Sequence, residues 1–353
     1  MNILDKILNL VFQQNAESIF FVEDIPPFLK YKDQKIKNIV EDKMEKEKME
    51  EILKIFITER DRLEIKKNGY WVGNYTTSNG LPFRAIVFNQ RGKLSIIFSP
   101  ATIETFKIEN LDLPPQYIEA LGKNKGLIII GGPKKSGKTT IFNSSIEYIL
   151  ENRSVMVATI EDFIEKEFSI SRGIVYQLVI GKDYSTIKDV LTVVRRLKPD
   201  IVAIQEIINY EYLEIALDLA LSGLLVICTL NADGIISVLE KISGMSGENR
   251  KNVFRYLSMV LEVVISGNLF TTTDGSLKYV YDFYFNDPEF VRFIAQGDIN
   301  EIYARMVEKR EKGYRVQEYT LKALIKKGAI LEEEALLKAA RVNDLKKILA
   351  APY

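Results

Sequence analysis

From Gly126 onward, short apolar runs alternate with longer segments whose apolar residues recur every three or four positions. The runs "GLIII", "SVMVATIED", "IVYQLVI", "DIVAIQE" and "LLVICTLN" have strand length and strand character. Between them, Ile187, Val190, Leu191, Val194 and Leu197 mark one helix face, and Leu213, Ala216, Leu217, Ala220 and Leu221 mark another, stopped by Gly223. This alternation predicts a mostly parallel sheet with helices packed on it. After Asn249 the pattern predicts a helix, a hairpin over "LFTTTDGSLKYVYDF" turning at Asp274-Gly275, and several helices to the end.

The first third follows another rule. In "MNILDKILNLVFQQ", Ile3, Leu4, Ile7, Leu8 and Val11 share a helical face, and Asp5 and Lys6 interrupt the apolar run, so an amphipathic helix is expected and not a signal peptide. Residues 32–68 are dense in charge, with Met49, Ile52, Leu53 and Phe56 spaced for one buried helix stripe. "GYWVGNYTTSNGLPFRAIVFNQRGKLSIIFSP" then alternates apolar and polar residues, with turn signals at Ser78-Asn79-Gly80 and Gln90-Arg91-Gly92, and predicts antiparallel strands. Two prolines in "LDLPPQYIEAL" break the alternation. We place a domain boundary there, giving domains 1–112 and 113–353, with a C-terminal helical region from about residue 286. The fold class is α/β.

Composition narrows the chemistry. With 47% hydrophobic and 27% charged residues over 353 positions, the chain is an ordinary soluble protein with room for two cores. Basic and acidic residues balance at 48 each, and no stretch is dominated by lysine or arginine, so no nucleic-acid partner is expected. No apolar run approaches the roughly 20 residues needed to cross a bilayer, so membrane association would go through a partner. The absence of histidine removes histidine bases, histidine metal ligands and serine-histidine triads. The one cysteine, Cys228, cannot form an intrachain disulfide and fits a reducing cytoplasm; a structural zinc site is excluded.

One stretch carries chemistry directly. "GGPKKSGKTT" matches the phosphate-loop pattern G-x-x-x-x-G-K-[ST], between an isoleucine-rich strand and a helix marked by Ile141, Phe142, Ser145, Ile146 and Ile149. Its residues Gly132, Pro133, Lys134, Lys135, Ser136, Gly137, Lys138, Thr139 and Thr140 are candidates for nucleotide binding. Backbone N–H groups and the helix start face the anion, Lys138 reaches the β and γ phosphates, and Thr139 ligates Mg²⁺. Lys134 and Lys135 occupy variable positions and add positive charge. Two acidic groups follow at predicted strand ends, where open α/β sheets place ligands. "TIEDFIE" holds Glu161, Asp162 and Glu165; "PDIVAIQEI" ends in Glu206, a candidate Mg²⁺-associated or water-activating carboxylate.

"GPKKSGKTT", "TIEDFIE", "RRLKPDIVAIQEI" and "LALSGLLVICTLNADG" resemble, in order and spacing, the secretion ATPases, and within them the PilT-type ATPases that retract type IV pili. "SIFFVEDIPPFLKYKDQKI", "FRAIVFNQRGKLSIIF" and "LIKKGAILEEEALLKAARVNDLKKIL" extend the resemblance over nearly the whole chain. It implies an N-terminal PAS-like domain, a C-terminal RecA-like ATPase domain, ATP and Mg²⁺ as ligands, and a homohexameric ring. It also implies a cytoplasmic protein held at the inner membrane by a pilus platform protein. By resemblance Lys138 and Thr139 serve phosphate and metal, Glu161 belongs to an acidic box, and Glu206 is the catalytic glutamate. Arg84, Arg91 and Arg196 match family arginines, the first two as candidates for charge stabilisation. The chain departs from the family at Gln205, Ile208 and Asn209, which replace glycine, arginine and aspartate, and at Leu224 and Asn231, which replace two histidines. Ser99 replaces a further arginine. The resemblance thus implies a motor of type IV pilus retraction (twitching motility) or of related filament dynamics or, alternatively, an ATP-binding, weakly hydrolysing paralogue that regulates or joins the motor's ring.

Overall fold

The computed structural model describes residues 2–31, 35–100, 106–181 and 183–351. The chain forms two compact units, Met1–Glu104 and Thr105–Tyr353. The division falls ahead of the proline pair because Ile108, in the short turn Ile108–Leu111, is buried in the core of the second unit.

In the first unit the elements run α1 (Ile3–Gln13), β1 (Ser18–Val22), β2 (Ile25–Lys30), β3 (Ile36–Asn38), α2 (Lys46–Phe56), α3 (Glu59–Asn68), β4 (Tyr70–Thr76), β5 (Pro82–Gln90) and β6 (Lys93–Pro100). The strands form one antiparallel six-stranded sheet, ordered β3-β2-β1-β6-β5-β4. Alternation along β5 turns Phe83, Ala85 and Val87 to the core, where they meet Leu4, Leu8 and Val11 of α1 and Met49, Ile52 and Leu53 of α2. Asp5, which interrupts the apolar run of α1, is buried and accepts from the Tyr75 hydroxyl at 2.6 Å and the Ser78 N–H at 3.1 Å, so the interruption ties α1 to the sheet. In place of a single charged helix over 32–68, the described residues from 35 to 68 form a short strand and two helices. Thr58 and Asp61 form a reciprocal capping box that starts α3 afresh.

The second unit continues with α4 (Pro115–Leu121), β7 (Gly126–Gly131), α5 (Lys138–Asn152), β8 (Met156–Glu161), β9 (Ile174–Val179), α6 (Ile187–Leu197), β10 (Ile201–Ile204), α7 (Tyr210–Leu221) and β11 (Leu225–Leu230). Then come α8 (Gly234–Ser246), α9 (Arg250–Val260), β12 (Leu261–Thr271), β13 (Leu277–Phe285), α10 (Pro288–Gln296), α11 (Ile299–Glu308), α12 (Gln317–Lys326), α13 (Glu332–Lys338) and α14 (Val342–Ala350). The seven-stranded sheet has the order β13-β12-β7-β11-β10-β8-β9, parallel except for the β12–β13 hairpin. Side chains of β7 alternate between two cores: Leu127 and Ile129 face the layer of α6 to α9, Ile128 and Ile130 the layer of α4 and α5. Burial on both faces is why this strand reads as an unbroken apolar run. Cys228 is free and buried, and burial pushes its thiol up to about 12, which leaves it unreactive.

Helices α12 to α14 pack on the hairpin through Phe270, Val280, Leu321, Ala335 and Leu345. A buried polar node fastens them. Asp282 accepts from the Ile235 N–H at the start of α8, at 2.9 Å, and from the Gln317 N–H at the start of α12, at 2.7 Å. Beside it, fully buried Glu318 accepts from the Tyr303 hydroxyl at 3.2 Å; burial, then the Asp282 charge, pushes its carboxyl well up.

Candidate active site

The loop between β7 and α5 is shaped by close approach. A Cβ on Gly132 would lie 2.3 Å from Ser136 Oγ and 2.6 Å from the Gly267 carbonyl oxygen, and the residue's φ of +151° also favours glycine. Lys134 and Lys135 point to solvent, as expected for added charge around an anion site. Ser136 is 1% exposed, and its Oγ has no hydrogen-bond partner among the described residues. Lys138 folds back on its own loop, donating to the carbonyls of Gly132 at 2.7 Å and Pro133 at 2.6 Å. Burial pulls its ammonium down in pKa and the charge of Glu206 opposes this. No side chain caps the start of α5, so its first-turn N–H groups stand at the loop, the arrangement that binds phosphate. A glycine cradle, an orphaned buried hydroxyl and a lysine satisfied only by loop carbonyls all fit a nucleotide phosphate.

Parallel register gathers the acids at the same edge of the sheet. Ile204 lies beside both Ile160 and Cys228, and Gly131 beside Leu230, so Glu161, Glu206, Asn231 and the phosphate loop share the C-terminal edge. Glu161 ends β8 as expected, whereas Glu206 falls beyond β10, which stops at Ile204. Gln205 explains the early stop. Its backbone N–H still follows the ladder, donating to the Ile160 carbonyl at 2.9 Å, but its side chain crosses to the acidic loop. There Oε1 accepts from the Asp162 N–H at 3.2 Å and Nε2 donates to the Phe163 carbonyl at 3.3 Å. Glu161 is 2% exposed, and its Oε1 accepts from the Thr159 hydroxyl at 2.5 Å and the Gln177 amide at 3.0 Å.

Several other candidates lie elsewhere. Arg196 is exposed in the last turn of α6, at the start of β10 and so at the edge of the sheet away from Glu206. Leu224 precedes β11, roughly 20 Å along that strand from Asn231, so no side chain at 224 serves the phosphate loop of its own chain. In the first unit, Arg84 sits within β5, opposite Asn74 and Ser99, while Arg91 is exposed in the β5–β6 turn, again roughly 20 Å along the strand. Ser99 shares a hydrogen bond of 2.7 Å with Ser18 and ties β6 to β1. Ile208 is 51% exposed, and Asn209 is committed to capping α7, accepting from the Tyr212 N–H at 3.2 Å. Two groups escape sequence reasoning. Gln177 is a lone amide in an apolar strand, and that break in pattern is its only signal. Asp233 stands just before α8; burial and the Asp282 charge push its carboxyl up to about 6, with the Gln317 amide and the Lys138 charge opposing.

A phosphate loop behind the central strand of a parallel sheet, with glutamates on neighbouring strand ends, defines an ATPase of the P-loop class. The chain belongs to the type II/IV secretion system protein family, whose sequence pattern it matches over residues 100–318. Over 348 residues it is 25% identical to the type IV pilus ATPase PilU of Pseudomonas aeruginosa, covering 98% of this chain and 91% of that one. With the type IV pilus retraction ATPase PilT of the same organism it shares 22% identity over 337 residues, 95% of this chain and 98% of that one. The crystal structure of the pilus retraction motor PilT with bound ADP superposes at a TM-score of 0.87 and 26% identity, covering 98% and 99% of the two chains.

Proposed function

We propose that this protein is an ATP-hydrolysing motor of type IV pilus retraction, working as a homohexamer with ATP and Mg²⁺. The observation that carries the reading is the gathering of the self-bonded Lys138, Glu161 and Glu206 at one edge of the sheet, in a chain that matches pilus ATPases along almost all of its length. On nucleotide binding, Lys138 exchanges the Gly132 and Pro133 carbonyls for β and γ phosphate oxygens. First-turn N–H groups of α5 hold the remaining phosphate charge. Thr139 and Glu206 would hold Mg²⁺, which when bound would neutralise charge developing on the phosphates. Glu206 accepts the proton of the attacking water, and Glu161 orients it. Arg84 and Arg91 supply cationic charge in the assembled ring. No helix among the described residues is long and apolar enough to cross a membrane. In this reading force reaches the pilus through an inner-membrane platform protein contacted from the cytoplasm.

Exposed Ile208 and the capping commitment of Asn209 favour a second reading, a weakly hydrolysing paralogue that regulates or joins the motor's ring. Losing one preorganised donor slows such chemistry by about 10²–10³. Phosphate release separates the two. We expect slow turnover, abolished by Glu206→Gln and raised by Ile208→Arg with Asn231→His. Equal turnover in the natural protein and Glu206→Gln would overturn the motor reading.

A further inference from the structure

We propose that Gln177 is a further positioning residue of the hydrolytic site, one side chain on the edge strand that fixes both Glu161 and the loop following it. The inference rests on the ATPase reading above.

In the parallel register of β8 and β9, Gln177 is the direct neighbour of Thr159, so the two side chains stand in one row. Both donate to the same oxygen, Oε1 of Glu161, the Thr159 hydroxyl at 2.5 Å and the Gln177 amide at 3.0 Å. Gln177 Nε2 also donates to the Lys166 carbonyl at 2.9 Å, and its Oε1 accepts from the Phe168 N–H at 3.1 Å. Three bonds from one side chain therefore set the carboxylate and the far end of the acidic loop in fixed relation. Gln205 holds the near end at Asp162 and Phe163. The loop is clamped at both ends by neutral amides, one on β9 and one just past the end of β10, the two strands that flank β8.

Neutral donors suit what surrounds the carboxylate. Glu165 and Asp162 on the loop are acids, and Lys166 is turned to Glu147 of α5 at 2.6 Å. Burial, and more weakly the Glu165 charge, raise the carboxyl of Glu161, while the Gln177 and Thr159 donors hold it down. An amide stabilises the ionised form without the strong ion pair that would quench it as a hydrogen-bond acceptor for water. Gln177 thereby sets two things at once: where the carboxylate points, and the pH above which it is charged. β9 pairs only with β8 among the described strands, so Gln177 acts from the edge of the sheet.

The test compares Gln177→Leu and Gln177→Glu with the natural protein, using steady-state turnover or, where turnover is slow, single-turnover hydrolysis from pH 5 to 9. Removing such a supporting partner lowers activity by about 10- to 100-fold. We expect a fall of that size in kcat for Gln177→Leu with little change in ATP affinity, and an acid limb displaced to higher pH. Gln177→Glu, which keeps the volume but brings a like charge to Glu161, should displace the limb further. A fall in kcat with the limb unmoved in both variants would make Gln177 a mere loop tether and overturn the proposal. Glu161→Gln separates this from failure of the underlying reading: if that variant hydrolyses ATP at the natural rate, the role given to Glu161 is wrong whatever Gln177 does. Thermal melting of both variants, expected to be lowered but to stay a single transition well above the assay temperature, guards against a folding defect.

Discussion

Glu161 and Asp282 are both buried carboxylates in the same unit, each with its carboxyl raised by burial, and they are held by different kinds of donor. Two side chains hold Glu161. Backbone N–H groups at the starts of α8 and α12 hold Asp282. Backbone donors are part of the helices they begin, so Asp282 cannot be retuned without moving those helices; side-chain donors can be exchanged one at a time. A raised carboxyl is therefore no mark of a reactive site by itself. What separates the two is the neighbourhood: Glu161 shares its sheet edge with a phosphate loop, whereas Asp282 joins elements.

The largest effect that can break this comparison is on stability. Asp282→Ala leaves two helix-start N–H groups buried without an acceptor, at about 1.5–3 kcal/mol for each charged hydrogen bond lost. The melting temperature of the second unit should drop sharply in calorimetry, while Glu161→Gln should barely move it. Equal drops would mean both acids are structural. A smaller effect probes the cation. Lys138→Ala should weaken ATP binding by roughly 10- to 100-fold, the value of one such charged contact, with melting unchanged because its present partners are loop carbonyls. Isothermal calorimetry reads it directly, and unchanged affinity would remove Lys138 from the site.

The smallest effect is a slope. Glu318 keeps its proton in the folded protein to a higher pH than in the unfolded chain, because burial and the Asp282 charge disfavour its ionised form. Above the ordinary glutamate range the native state then binds more protons than the unfolded state, so stability falls as pH rises through the shifted value. Glu318→Gln is neutral in both states and should flatten the dependence of melting temperature on pH between about 5 and 8. A slope unchanged in Glu318→Gln would place the proton elsewhere, Asp282 being the next candidate.

Legibility in the sequence followed the range of the interaction. The phosphate loop, the helix after it and the parallel strands were readable because each depends on spacing within a few residues. The break between α2 and α3 was also local, a Thr58–Asp61 capping box, but it was masked by charge on both sides. Strand β2 escaped because Pro26 and Pro27 suppress strand character, although register with β1 on one side and β3 on the other decides its state. Gln177 meets Glu161 only through pairing of β8 with β9, and Gln205 reaches Asp162 only through β10 with β8. No periodicity announces such meetings. Arg196 and Leu224 show the converse: resemblance names them, and strand direction puts them at the other edge of the sheet.

The placement of β7 has a consequence for the making of the protein. Its two sheet neighbours are β11, at 225–230, and β12, whose paired segment ends at Ser266. At synthesis rates of about 5–20 residues per second, roughly 7–27 s separate the emergence of Gly131 from that of Ser266. During that interval the phosphate loop exists as sequence without the sheet that shapes it, while the antiparallel first unit already has every strand partner it needs. ATP, abundant around the ribosome, has nothing to grip until synthesis is three-quarters done. Nucleotide binding thus works as a late seal on a nearly finished chain and cannot serve as its early template.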